Sequence, residues 1–119
     1  MTECVEYRIL GPLEVDVGGR RVPTGGPKQR TLLAVLLVHA NQVVPVTRLV
    51  DAVWGEAPPT TAVAQVQGYV SVLRRLLPGS AEKGPILTRA PGYLLQVEPG
   101  QLDVDVFERL AAEARSALA

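Results

Sequence analysis

Between Ala57 and Ala81 the chain carries no Asp or Glu, and the side chains able to do chemistry there include Thr60, Thr61, Gln65, Gln67, Ser71, Arg74 and Arg75. These are hydrogen-bonding groups and fixed cations, not nucleophiles with a base beside them. Such groups suit base edges and phosphate oxygens: a Gln amide can pair with adenine, and an Arg fork with guanine or a phosphate. Two further basic features are Arg89, in the Arg89-Ala90-Pro91-Gly92 link before Tyr93, and Lys28 with Arg30, just after a Gly-Gly-Pro break. His39 is the single histidine and Cys4 the single cysteine. No Ser/His/Asp set, metal-ligand cluster or phosphate loop can be assembled from them, and no internal disulfide. The expectation is a protein without catalytic residues, metal or cofactor, and not an enzyme.

Positioning these side chains requires elements that the apolar periodicity outlines. Val5, Tyr7 and Ile9 alternate with Glu6 and Arg8, and Leu13, Val15 and Val17 alternate with Glu14 and Asp16, which predicts two strands. Gly18-Gly19 is a hairpin turn across which Arg20-Arg21-Val22 pairs back. Pro27 suits the first turn of a helix running to about Ala40, with Leu32, Leu33, Leu36 and Leu37 on one face and Asn41 as its stop. Val43-Val44-Pro45 is a short extended link. Thr47 is the expected N-cap of a second helix through Trp54, ended by Gly55 and a Glu56-Ala57-Pro58-Pro59 loop. Thr60 or Thr61 caps a third helix reaching Leu77, with Val63, Val66, Val70, Leu73 and Leu77 as its buried stripe. At about 100° per residue, Ala64, Gly68, Ser71 and Arg75 lie opposite that stripe; Gln67 and Arg74 fall on one flank, Gln65 and Val72 on the other. After Pro78-Gly79 and a loop over 80–85, Ile86–Thr88 and Tyr93–Val97 form a hairpin with Arg89 at its tip. Asp103 or Asp105 caps a closing helix through Phe107, Leu110, Ala111, Ala114 and Leu118.

The fold class is therefore α+β: a leading antiparallel sheet, a three-helix core, a β-hairpin wing and a trailing helix. A longer exposed helix after two short ones, followed by a hairpin, is the order of a winged helix-turn-helix, in which the longer helix enters the major groove.

Composition agrees with a single modest core: 119 residues, 47% hydrophobic and 20% charged. The net charge is zero, but residues 20–90 hold nine Lys or Arg against three Asp or Glu, leaving the two ends acidic. A polyanion can engage such a middle without the whole chain being basic. The first ten residues lack a signal-peptide pattern, and the longest apolar run, of about ten residues, is too short to span a bilayer. A cytoplasmic protein with no membrane partner is expected.

Leu10-Gly11-Pro12-Leu13, Pro27-Lys28-Gln29-Arg30 before Leu32-Leu33, Trp54-Gly55-Glu56-Ala57-Pro58-Pro59, Tyr69-Val70-Ser71 with Leu73-Arg74-Arg75-Leu76, and Gly92-Tyr93 together resemble the Streptomyces antibiotic regulatory protein (SARP) family over roughly residues 5–97. The resemblance implies an OmpR-type winged helix over residues 1–98 with a leading sheet of four strands. Residues 99–119 then form a linker and the first helix of a bacterial transcriptional activation domain that is cut short. It further implies a transcription activator of a secondary-metabolite (antibiotic) gene cluster, which binds double-stranded promoter DNA at direct repeats as a head-to-tail homodimer and recruits RNA polymerase through its sigma factor and other subunits. The Glu56, Pro58 and Pro59 loop is the implied polymerase contact. Family members commonly carry Arg near Gln67, Thr or Ser near Gly68, and a basic or polar residue near Val72; this chain departs at all three.

Each candidate has two readings. Thr60 and Thr61 are helix caps or phosphate ligands at a helix N-terminus. Gln65, Gln67 and Ser71 are ordinary surface or base-reading groups. Arg74 and Arg75 offset the helix dipole or bind DNA, and Lys28 and Arg30, cations in a first helical turn, call for a facing anion such as a phosphate. Arg89 is a wing contact to the DNA backbone, and Tyr93 is either wing contact or hairpin packing. The departures in the third helix keep one competitor alive: a winged-helix protein-interaction module with weak or lost DNA binding.

Overall fold

The computed structural model describes residues 5–77 and 85–118, the side chains of residues 105–107, 109–110, 113 and 117–118 excepted. Cys4, the Pro78-Gly79 stop, residues 80–84 of the expected loop and the tail side chains of Asp105, Phe107, Leu110 and Leu118 lie outside what is described.

The alternating N-terminal residues form β1 (Val5–Arg8), β2 (Glu14–Val17) and β3 (Arg20–Val22), an antiparallel meander. Gly18 and Gly19 have φ of 57° and 82°, the two positive values that a tight two-residue turn demands and that glycine adopts without strain. Val5, Tyr7, Val15 and Val17 are buried on one face. The SARP resemblance implies four strands here; among the described residues the sheet has three, because Pro23 has no amide to continue the ladder and the chain turns into a helix.

The three core helices are α1 (Pro27–Val38), α2 (Val46–Trp54) and α3 (Ala62–Leu76). Leu32, Leu33, Leu36 and Leu37 of α1, Leu49 of α2, and Val66, Val70 and Leu73 of α3 meet in one core, each worth about 1.5–3 kcal/mol when fully buried. Two local expectations change. Thr47 is not a cap: α2 begins at Val46 behind Pro45, with no side-chain cap bond. Val63 is 53% exposed, and Ala62 takes its place in the buried stripe. Periodicity sets the two about equally far from the stripe's centre, and the preceding loop decides by closing the Ala62 amide onto the Pro59 carbonyl at 3.0 Å.

The wing is β5 (Ile86–Arg89) and β6 (Gly92–Leu95), and a third strand, β4 (Val44–Pro45), pairs with β6 where the sequence suggested only a link. Gly92 makes that pairing possible: a side chain there would overlap the Val44 carbonyl oxygen.

The trailing helix α4 (Asp103–Leu118) starts against the leading sheet. The Tyr7 amide donates to the Gln101 carbonyl at 2.6 Å, Leu102 is buried beside it, and Tyr7 and Leu102 form a parallel bridge. Asp103 opens α4, and its carboxylate accepts the Ile9 and Leu10 amides at 2.9 and 3.0 Å, joining the tail to the end of β1.

Candidate nucleic-acid interface

Helix α3 turns Val63, Ala64, Gln67, Gly68, Ser71 and Arg75 outward. Ser71 and Arg75 lie opposite the buried stripe as their spacing predicts, and Gln67, which the same spacing set on a flank, is exposed with them on one acid-free face. Gln65 sits differently. Its amide nitrogen donates to the Thr61 hydroxyl at 3.0 Å and its amide oxygen accepts from the Tyr69 hydroxyl at 3.4 Å. Both ends of the Gln65 amide are therefore engaged within the helix. Thr61 occupies the N-cap position without bonding a helix amide, and Thr60 is exposed just before it.

The flank carrying Tyr69 packs on α2. The Trp54 and Tyr69 rings stack with centroids 6.4 Å apart, and the Lys28 ammonium lies 6.0 Å from the Trp54 ring centre. Lys28 is exposed at the start of α1, where it meets the ring's negative face. Arg30 is held inward: its guanidinium donates to the Thr24 hydroxyl at 2.6 Å and the Leu13 carbonyl at 2.9 Å, fastening α1 to the leading sheet. The Glu56, Pro58 and Pro59 loop is exposed throughout.

The other flank meets the wing. Arg74 donates through Nε to the Ile86 carbonyl at 3.1 Å and through Nη2 to the Thr88 hydroxyl at 2.8 Å. Its guanidinium also lies 6.0 Å from the centre of the Tyr93 ring. Tyr93 is buried, its strand pairing with β4 on one side and β5 on the other. Arg89 is exposed at the end of β5, with one guanidinium nitrogen on the neighbouring Thr88 carbonyl at 2.9 Å.

The basic middle of the chain is therefore less free than its composition suggests. Arg21 belongs to a charge network on the outer face of the leading sheet, bonded to Asp16 at 2.7 Å and paired with Glu14, while Arg8 pairs with Asp16, Glu14 and Glu6. Hydrogen bonds first from Arg8 and then from Arg21 hold the Asp16 carboxyl below its ordinary range. On the opposite face burial pushes the Tyr7 phenol up to about 12. Sequence reasoning passed over Arg48, which with Thr47, Pro45, Asp51 and Ala52 lines an open groove at the start of α2. The Val46 amide there donates to Pro91 of the wing turn at 3.2 Å. A cation in a first helical turn, the signal noted for Lys28 and Arg30, was the available clue. Among the described residues no group of three or more His, Cys, Asp or Glu could hold a metal, and no helix is long and apolar enough to cross a membrane.

An exposed, acid-free helix set against a three-stranded sheet with a projecting hairpin defines a winged-helix DNA-binding domain. Residues 20–95 match the family described as transcriptional regulatory protein, C terminal, and the chain belongs to it. It is 41% identical over 107 residues to the transcriptional regulatory protein MoaR1 of Mycobacterium tuberculosis, covering 87% of this chain and 34% of that protein. It is 37% identical over 120 residues to the regulatory protein DnrI of Streptomyces peucetius, covering 95% and 44%. Among solved structures, M. tuberculosis EmbR in complex with a low-affinity phosphopeptide superposes with a TM-score of 0.84 at 37% identity, over 88% of this chain and 28% of that one. The Klebsiella pneumoniae RstA DNA-binding domain in complex with the RstA box gives 0.56 at 27% identity, over 70% and 82%. These regulators are of the OmpR and SARP type, and the chain spans between about a quarter and a half of the length of MoaR1, DnrI and EmbR.

Proposed function

We propose that this domain reads double-stranded promoter DNA with α3 in the major groove and the wing on the adjacent backbone, and that it activates transcription. The observation that carries the reading is the outward face of α3: Gln67, Gly68, Ser71 and Arg75 exposed together with no carboxylate among them. Gln67 and Ser71 are placed to read base edges, Gln67 favouring adenine, while Arg75 and the exposed Arg89 take phosphates. Lys28 and the Thr60–Thr61 turn supply further backbone contacts, as does Arg48 from the groove at the start of α2. The complex of RstA with its box supports a duplex ligand for this fold.

Membership among OmpR- and SARP-type regulators supports a wider role. The domain works in the cytoplasm as a head-to-tail homodimer on direct repeats, presents the Glu56–Pro59 loop to RNA polymerase, and switches on a secondary-metabolite gene cluster. Selection of duplexes from a random library, followed by anisotropy titration at two salt concentrations, tests the DNA reading. A directly repeated motif should emerge, bound with an affinity that falls steeply as salt rises. Enrichment of no sequence, or tight binding insensitive to salt, would overturn it in favour of a protein-interaction module.

A further inference from the structure

We infer that Arg74 is a positioning residue: it binds the wing rather than the duplex, and sets the wing's angle so that Arg89 reaches the DNA backbone while α3 lies in the groove. This rests on the DNA reading above and assigns one residue's part in it. Three observations converge on Arg74. Its Nε and Nη2 both donate into β5, to the Ile86 carbonyl and the Thr88 hydroxyl. Its guanidinium lies against the buried Tyr93 ring of β6. Those partners span both strands of the hairpin, so one planar group on α3 references the whole wing to the helix.

The geometry depends on the guanidinium and not on charge alone. A planar fork can donate through Nε and Nη2 at once and lie against a ring, whereas a lysine ammonium is a single point on a flexible stem. Its neighbour Arg75 is exposed and among the described residues has no such tie, which divides the pair between phosphate binding and wing positioning. Arg89 lies one residue beyond Thr88, so the anchor acts directly at the base of the contact it would orient.

The test uses the 119-residue chain and a duplex that it enriches from a random library. Anisotropy titrations over a salt series compare Arg74→Gln, Arg74→Lys and Thr88→Val, each also combined with Arg89→Ala, with thermal melts confirming that every variant folds. Thr88→Val removes one partner of the guanidinium without altering charge, and so tests the idea even where an Arg74 variant fails to fold. The expected result is a roughly tenfold loss of affinity for Arg74→Gln, a smaller loss for Thr88→Val, and no rescue by Arg74→Lys, corresponding to about 1.4 kcal/mol for the first. The slope of log affinity against log salt should fall by about one unit in Arg74→Gln, because the Arg89–phosphate contact is lost with the wing, and should fall no further when Arg89→Ala is added. Arg89→Ala should cost several-fold in the original chain and little once Arg74 is replaced, because a displaced wing no longer delivers Arg89. Recovery of affinity and slope in Arg74→Lys, with Arg89→Ala lowering the slope by about a further unit in the Arg74→Gln background, would make Arg74 a phosphate ligand and overturn the inference. Strict additivity of the Arg74 and Arg89 effects would overturn it as well. A chain that enriches no duplex removes the DNA reading and this inference together, an outcome distinct from both.

Discussion

Asn41 and Val97 exchange two hydrogen bonds: the Asn41 amide nitrogen donates to the Val97 carbonyl at 3.1 Å, and its amide oxygen accepts the Val97 amide at 2.9 Å. Asn41 holds a φ of 66° at the end of α1, and its own backbone amide donates to Leu95 at 2.8 Å. One residue thus ends the helix and clamps the far end of the wing strand to it. Asn41→Gly keeps the backbone geometry but deletes the clamp, and should cost about 1–2 kcal/mol. Asn41→Ala adds the left-handed penalty of roughly 1 kcal/mol and should melt lower still. Urea or thermal unfolding checks the order; equal stability of the two variants would show that backbone strain plays no part there.

Gly92 should be the least replaceable wing residue. A methyl group at this position would overlap the Val44 carbonyl, a backbone atom that cannot swing aside as a side-chain end would. Gly92→Ala is expected to break the β4–β6 pairing and destabilise the domain by at least about 2 kcal/mol. Loss of amide-exchange protection at Val44 and Tyr93 would localise the damage.

The outer face of the leading sheet makes stability depend on acid. Hydrogen bonds from Arg8 and Arg21 depress the Asp16 carboxyl below its ordinary 3.8, so the folded state binds that proton less readily than the unfolded one. A depressed carboxyl contributes stability that is fully present above the unfolded value and is lost as pH falls through the folded value. Asp16→Asn should therefore melt below the original chain at neutral pH, and the gap should close below about pH 4. A gap that stayed constant down to strong acid would mean that Asp16 acts through packing instead.

Much of this fold is legible from periodicity, and the misses share a physical cause. The Gly18-Gly19 hairpin, the leucine face of α1 and the exposed Gly68, Ser71 and Arg75 follow from local rules of turn chemistry and helical spacing. Val44-Pro45 reads as a link because a two-residue strand has no period; it becomes a strand only when Gly92 lets β6 approach. The roles of Arg30 and Arg74 are equally nonlocal. Their sequence positions mark them as cations, but their partners Leu13, Thr24, Ile86 and Thr88 lie 6–17 residues away and become neighbours only in the fold. Asp103 shows the extreme case: its partners Ile9 and Leu10 are at the opposite end of the chain.

Gly68 offers a way to separate stability from binding. It lies inside α3, where glycine costs about 1 kcal/mol relative to alanine, and a methyl group there would meet nothing within 4 Å in the free protein. Gly68→Ala should accordingly raise unfolding stability by roughly 1 kcal/mol and the melting midpoint by about 4 °C. On DNA the same methyl projects from the face proposed to enter the groove, beside Gln67 and Ser71. If the backbone at Gly68 seats closely against the duplex, affinity should fall about tenfold, or about 1.4 kcal/mol, even as the free domain becomes more stable. Opposite signs from a melt and a titration on one variant would identify Gly68 as a point of close approach. A variant that is more stable and binds equally well would place the groove contacts on the side chains alone.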